Sequence, residues 1–178
     1  MRQPSSVICI IGLRGSGKTA ATRVLSRQGF HTISAGAKNT ELALKEGCPM
    51  DTRSLQNFGL RLIEERGAEY FASILAAEAA GHSRVVFEGV RAPEVISCLR
   101  KKFSNMPIVL LIAPTEKRRS RLIQRGSDPS LDQHPIESYA DEYSTLADVT
   151  IVNDGDLADL QKEVLALFVL NDRSTTTS

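Results

Sequence analysis

The sequence is short of several things, and each shortage closes off a class of protein. A surplus of one charge is missing: 22 Lys and Arg stand against 21 Asp and Glu, a formal net charge of +1 over 178 residues. Non-specific binding to nucleic acid is mostly charge neutralisation, so a broad polyanion-binding face is disfavoured while a local basic groove stays open. Cysteine is scarce. Cys9, Cys48 and Cys98 are odd in number, widely spaced and outside any C-x-x-C arrangement. That argues against a disulfide framework or zinc site and fits a reducing compartment. His31, His82 and His134 share no metal-ligand spacing and read as structural or exposed. No stretch reaches the roughly 18 apolar residues of a membrane span. MRQPSS leads straight into a short apolar run, too brief for a leader core. The expectation is a cytoplasmic chain with no membrane partner. There is no internal repeat and no second domain, so residues 1–170 read as one domain. The closing NDRSTTTS lacks apolar periodicity, which makes 171–178 a disordered tail.

What is present is alternation. Apolar runs at 7–11, 30–34, 84–88, 107–113 and 149–152 read as strands buried on both faces. Between them, helical spacing marks 17–28, 35–47, 93–103 and 115–125, the last with Thr115 as its N-cap. Leu55, Phe58, Leu62 and Ile63 line one helix closed by Gly67, and Phe71, Ile74 and Leu75 line the next. Short helical stretches at 136–146 and 156–169 flank the last strand. Five buried strands alternating with helices predict an α/β fold: a parallel sheet with helices on both faces, three layers in all.

The strongest local signal follows the first strand. In GLRGSGKT, Gly12, Gly17, Lys18 and Thr19 complete the pattern G-x-x-x-x-G-K-[ST]. A strand enters it and a helix leaves it, as a phosphate-binding loop requires. The backbone of Gly12, Arg14, Gly15, Ser16, Gly17 and Ala20 would lie along the nucleotide, with successive N–H groups facing the phosphates. Lys18 would reach the β- and γ-phosphates, and the Thr19 hydroxyl would ligate Mg2+. No N-K-x-D guanine motif follows, which disfavours a GTPase.

Further stretches recur in order: FEGVR at 87–91, Arg118, Arg121 and Arg125 on one helix, and ADVTIVNDG near the end. With GLRGSGKT, these resemble the nucleoside-monophosphate-kinase-like group of P-loop kinases, especially the small adenylate-kinase-related and dephospho-CoA-kinase-like proteins. The resemblance covers residues 7 to about 169. It implies a P-loop NTPase sheet of order 2-3-1-4-5, ATP as donor with Mg2+, an acceptor flap near 35–81 and a short mobile lid near 118–137. It implies a nucleotide-type small-molecule acceptor. In that group Glu88 would stand near the metal and orient its water; for a hydroxyl acceptor it would instead be the general base. Arg91 would hold an acidic group of the acceptor by bidentate pairing. Arg118, Arg121 and Arg125 at i, i+3 and i+7 share a helix face, where they would stabilise the transferring phosphoryl or simply be solvated. Arg121 and Arg125 rank first because they lead into the lid. Asn153 belongs to the segment that lines the adenine pocket in the group, or to a plain turn.

One stretch departs from the group. After the second strand it usually shows S-x-G-D-x-x-R; here SAGAKNTE places Ala37 at the Asp and Thr40 at the Arg. Two groups that grip an ordinary nucleotide are gone. Lys38, or Arg53 and Arg61 on the flap helix, would have to supply the charge. This keeps a second acceptor open, a hydroxymethyl pyrimidine within DNA as used by some bacteriophage kinases. A third reading is a regulatory ATP-binding protein.

Overall fold

The computed structural model describes residues 3–127 and 140–174. Thirteen elements appear among them. Strands β1 (Ser6–Ile11), β2 (His31–Ser34), β3 (Arg84–Glu88), β4 (Ile108–Ile112) and β5 (Val149–Val152) form one sheet. Helices α1 (Lys18–Arg27), α2 (Ala35–Lys45), α3 (Thr52–Arg66) and α4 (Ala68–Ala79) come first. They are followed by α5 (Pro93–Lys102), α6 (Thr115–Gln124), α7 (Ala140–Leu146) and α8 (Leu157–Ser174). The sheet order is β2-β3-β1-β4-β5 and every pairing is parallel, as the resemblance implied.

Strand periodicity divides the core in two. Val7, Cys9 and Ile11 of β1, Val85 and Phe87 of β3, and Ile108 and Leu110 of β4 point to one face. There they meet Phe58 and Leu62 of α3, Phe71 and Leu75 of α4, Ile96 and Leu99 of α5, and Tyr143 of α7. The alternate residues Ile8, Ile10, Val86, Val109, Leu111 and Ile151 pack against Val24 and Leu25 of α1 and Leu160 and Val164 of α8. Period-two side-chain direction makes this split unavoidable. Each fully buried Val or Phe contributes about 1.5–3 kcal/mol of transfer free energy, so the central strands anchor the sheet. Cys9 lies in this core, and burial pushes its thiol up to about 12, which leaves it inert.

Several sequence expectations shift. β2 and β5 are not buried on both faces: each has one buried residue, because each is a sheet edge. Thr115 is the first helical residue of α6, and Pro114 takes the N-cap position without a side-chain cap. α8 continues through Ser174, past the point where a tail was expected at 171. No glycine or proline breaks it there. Residues 175–178, the lid tip within 128–139 and His134 lie outside the described residues. Among the described residues no helix is long and apolar enough to cross a membrane.

Candidate active site

All five parallel strands bring their C-terminal ends to one edge, the place where such sheets bind ligands. The loop between β1 and α1 sits there. α1 opens at Lys18, with Gly17 as an N-cap that offers no side chain to its first turn. Ala20 and Ala21 N–H donate to Gly17 O, and the N–H groups of Lys18 and Thr19 are left for an external acceptor. Gly17 has φ 107°, and a Cβ on it would lie 2.2 Å from Asn153 Nδ2. Asn153 is only 5% exposed; its Nδ2 donates to Ser16 O at 2.8 Å, and its backbone N–H donates to Ile112 O at 2.7 Å. The end of β5 thus seats the loop from beneath. Asn153, read in sequence as part of a base-lining segment or a plain turn, commits its side chain to the loop itself.

Lys18 Nζ donates to Gly12 O at 2.7 Å and Leu13 O at 2.8 Å. The residue is half-buried but its ammonium is enclosed, and this burial lowers its pKa to about 7. Arg91 lowers it further, Glu88 opposes, and Arg118 and Arg14 add to the lowering. Positive charge is concentrated at this point. Ser16 Oγ and Arg14 Nη1 are buried with no hydrogen-bond partner among the described residues. A buried donor without an acceptor is costly, and a phosphate chain would satisfy both. Thr19, exposed at the second position of α1, and Glu88, at the end of β3, offer the hard oxygen ligands that Mg2+ takes. The residues present fit both groups.

Glu88 is held from α1. Thr22 Oγ1 lies 3.3 Å from Glu88 Oε2 and 3.2 Å from Thr19 O, and its residue is buried. The sequence reasoning missed Thr22. Its signal was a polar side chain one turn beyond Thr19, and so on the same helix face.

The arginines of α6 divide differently from their sequence ranking. Arg118 is buried, at 8% exposure, and its Nη1 donates to Arg14 O at 3.1 Å. Arg121 Nη1 donates to Gly15 O at 3.2 Å. Gly15 lies so close to α6 that a Cβ would stand 2.7 Å from Arg118 O. Both side chains brace the loop through its carbonyls. Arg125 caps the C-terminus of α6 and is exposed.

Beside the loop lies a cavity of about 310 Å³ between α2, α3 and the segment after β3. Its apolar wall includes Leu55, Ile63, Phe71 and Val95. Its polar lining is Asn39, Thr40, Thr52, Gln56 and Arg91. Asn39 Nδ2 donates to Leu55 O at 2.8 Å, tying α2 to α3. The buried Tyr143 hydroxyl donates to Arg91 O at 2.8 Å, fixing that backbone at the cavity edge. Arg53 is exposed and outside the lining. Arg61 faces away, within 3.6 Å of Glu46 and 4.0 Å of Glu65, with its guanidinium over Phe58. Lys38 pairs with Glu41 on its own helix and Glu78 on α4. Of the three candidate replacements for the missing arginine, Lys38 and Arg61 are therefore engaged elsewhere, and Arg53 is not part of the lining.

The sheet order, the loop and the adjoining cavity define the fold of the small P-loop kinases. Two solved structures share it at low identity: a shikimate kinase from Acinetobacter baumannii in complex with shikimate and a gluconokinase from Sinorhizobium meliloti 1021. The first is 20% identical at a TM-score of 0.58, covering 97% of this chain and 96% of that one. The second is 17% identical at 0.60, covering 99% of each. The chain belongs to the AAA domain family, whose model matches residues 8–144, and to the UPF0200 proteins. The UPF0200 protein of Pyrococcus abyssi is 30% identical over 173 residues, 89% of this chain and 92% of the relative. That of Methanosarcina mazei is 34% identical over 134 residues, 74% and 71% respectively.

Proposed function

We propose that the chain is an ATP-dependent kinase that transfers the γ-phosphoryl group to a small acceptor seated in the cavity between α2 and α3. One observation carries this reading: buried donors of the loop at Arg14 and Ser16, lacking acceptors among the described residues, adjoin a lined cavity with Glu88 and Arg91 at their junction. Lys18 and the amides of residues 15–19 bind and orient the donor phosphates, with Ala20 continuing the first turn behind them. Arg118 and Arg121 keep the loop in shape. Thr19 would hold Mg2+, which would neutralise charge at the phosphates, and Glu88 would orient its water or, for a hydroxyl acceptor, serve instead as the base. The reading carries with it one domain with a flap at 35–81 and a lid at 118–137, in a cytoplasmic setting.

A nucleotide-type acceptor, the expectation from the resemblance, finds an apolar slot at Leu55, Ile63, Phe71 and Val95 but, among the described residues, a single lining cation, Arg91. A DNA acceptor gains nothing from that lining, since a strand needs a basic track. A purely regulatory ATP-binding protein has no use for the cavity. The test is a coupled assay of ADP release with Mg2+-ATP over a panel of mononucleotides, nucleosides, hydroxy acids and hydroxymethylated DNA. Acceptor-dependent ADP release supports the kinase. ATP binding without turnover on every acceptor favours the regulatory reading.

A further inference from the structure

Outside the loop, the acceptor cavity is poor in positive charge among the described residues. Arg91 is its one lining cation among the described residues. Lys38 is engaged by Glu41 and Glu78, and Arg61 by Glu46 and Glu65. Arg53 stands outside the lining. Residues 128–139, DPSLDQHPIESY, contain no Lys or Arg at all, and three carboxylates at Asp128, Asp132 and Glu137. Wherever that segment lies, it brings no permanent cation. The position where Arg is usual holds Thr40, whose hydroxyl donates to Gly36 O at 3.0 Å. The Glu88 carboxylate ends β3 immediately before Gly89 of the lining.

A phosphate acceptor arrives with close to two negative charges and must approach a γ-phosphate that is itself negative. That approach needs several cations on the acceptor side, and one guanidinium beside a carboxylate does not supply them. A hydroxyl acceptor has no such demand. From this inventory we infer that the acceptor is a hydroxyl-bearing small molecule with a single anionic group, such as a carboxylate, which Arg91 holds. The inference rests on the kinase reading and narrows its substrate class. In the transfer, the acceptor oxygen bonds to the γ-phosphorus and the bond from that phosphorus to the β–γ bridging oxygen breaks. ADP leaves with the electron pair, and the hydroxyl proton passes to the Glu88 carboxylate. The product is a phosphate monoester.

The experiment is calorimetric titration of the full chain, loaded with Mg2+ and a non-hydrolysable ATP analogue, followed by 31P NMR of reactions with ATP. The probes are gluconate and shikimate as single-carboxylate polyols, and AMP, CMP, GMP and UMP as phosphate acceptors. The expected result is binding of at least one hydroxy acid, weakened about tenfold or more in Arg91→Gln by loss of the charged pair, and a monoester resonance among the products. Circular dichroism melting checks that the variant is folded. Tighter binding of a mononucleotide, resonances of CDP, GDP or UDP formed from the added mononucleotide, binding indifferent to Arg91→Gln, or binding of no probe overturns the inference. Failure of the kinase reading shows separately, as absence of ATP-analogue binding in the loading step. Arg91-dependent hydroxy-acid binding would survive that result.

Discussion

The two halves of the site are built on opposite terms. On the donor side, Lys18, Arg14, Arg118 and Arg121 crowd around a loop whose carbonyls from Gly12 to Ser16 are engaged by side chains, and the enclosed Lys18 ammonium falls to about 7. On the acceptor side, a cavity is walled, among the described residues, by apolar and neutral polar groups and one arginine. The donor side resembles a mould for a highly charged chain. The acceptor side resembles a slot that selects by shape and one contact. The loop is what GKT proteins share, so discrimination among them falls to the slot, where neutral groups can be exchanged at small cost to the fold.

The contrast can be broken most severely at Lys18. Lys18→Ala should lower turnover about a thousandfold, as for loss of a main electrostatic stabiliser, with the melting profile retained. Turnover within tenfold of wild type would remove the loop from the chemistry. Next comes Thr40→Arg, which restores a cation to the slot. It should raise the affinity of a mononucleotide about tenfold in calorimetry, the worth of one charge-assisted pair; no change would mean that charge does not set acceptor choice. Asn153→Ala removes the bond that seats Ser16 and should weaken ATP binding about fivefold to tenfold, while acceptor affinity stays put. Equal effects on both ligands would show that the two halves are not separable.

A smaller effect lies in the protons. The folded pKa of Lys18, about 7, is below its unfolded value, so burying the charged form costs stability fully below pH 7. That cost fades as pH rises from about 7 toward the ordinary lysine value near 10.4. Phosphates favour the charged form, so ATP binding near pH 8 should take up a proton, up to about one per site. The uptake is read from calorimetric enthalpies in buffers of different ionisation heat, and it should vanish near pH 6. The smallest effect belongs to Arg61→Ala, whose partners are Glu46 and Glu65 on the exposed face. Acceptor KM should change by less than about twofold; a larger rise would return Arg61 to the acceptor side.

The sheet and the loop were legible because both are written in local pattern: buried apolar runs, and G-x-x-x-x-G-K-T between strand and helix. The edges were not, since Ile33 and Ile151 look the same in sequence whether their strands have one neighbour or two. The roles of the arginines were half legible. Spacing put Arg118 and Arg121 on one face, but rank went to Arg121 and Arg125 because they precede the lid. Leu122 was the better guide: it is buried, and Arg118 lies four residues before it on the same face. Asn153 looked like part of a turn because its partner, Ser16, is 137 residues away. Lys38, Arg53 and Arg61 were plausible acceptor groups in sequence alone. Only the structure shows Lys38 paired with Glu78 of α4, Arg61 with Glu46, and Arg53 outside the lining.

The bond from Asn153 to Ser16 also separates what the motif spells from what holds it in shape. Ser16 of GLRGSGKT lies 137 residues before the amide that seats it, just past the end of β5. Arg118 and Arg121 brace the same loop from α6. A chain can therefore carry every letter of the motif and still lose grip on phosphate through a change in a distant segment that shares no pattern with it.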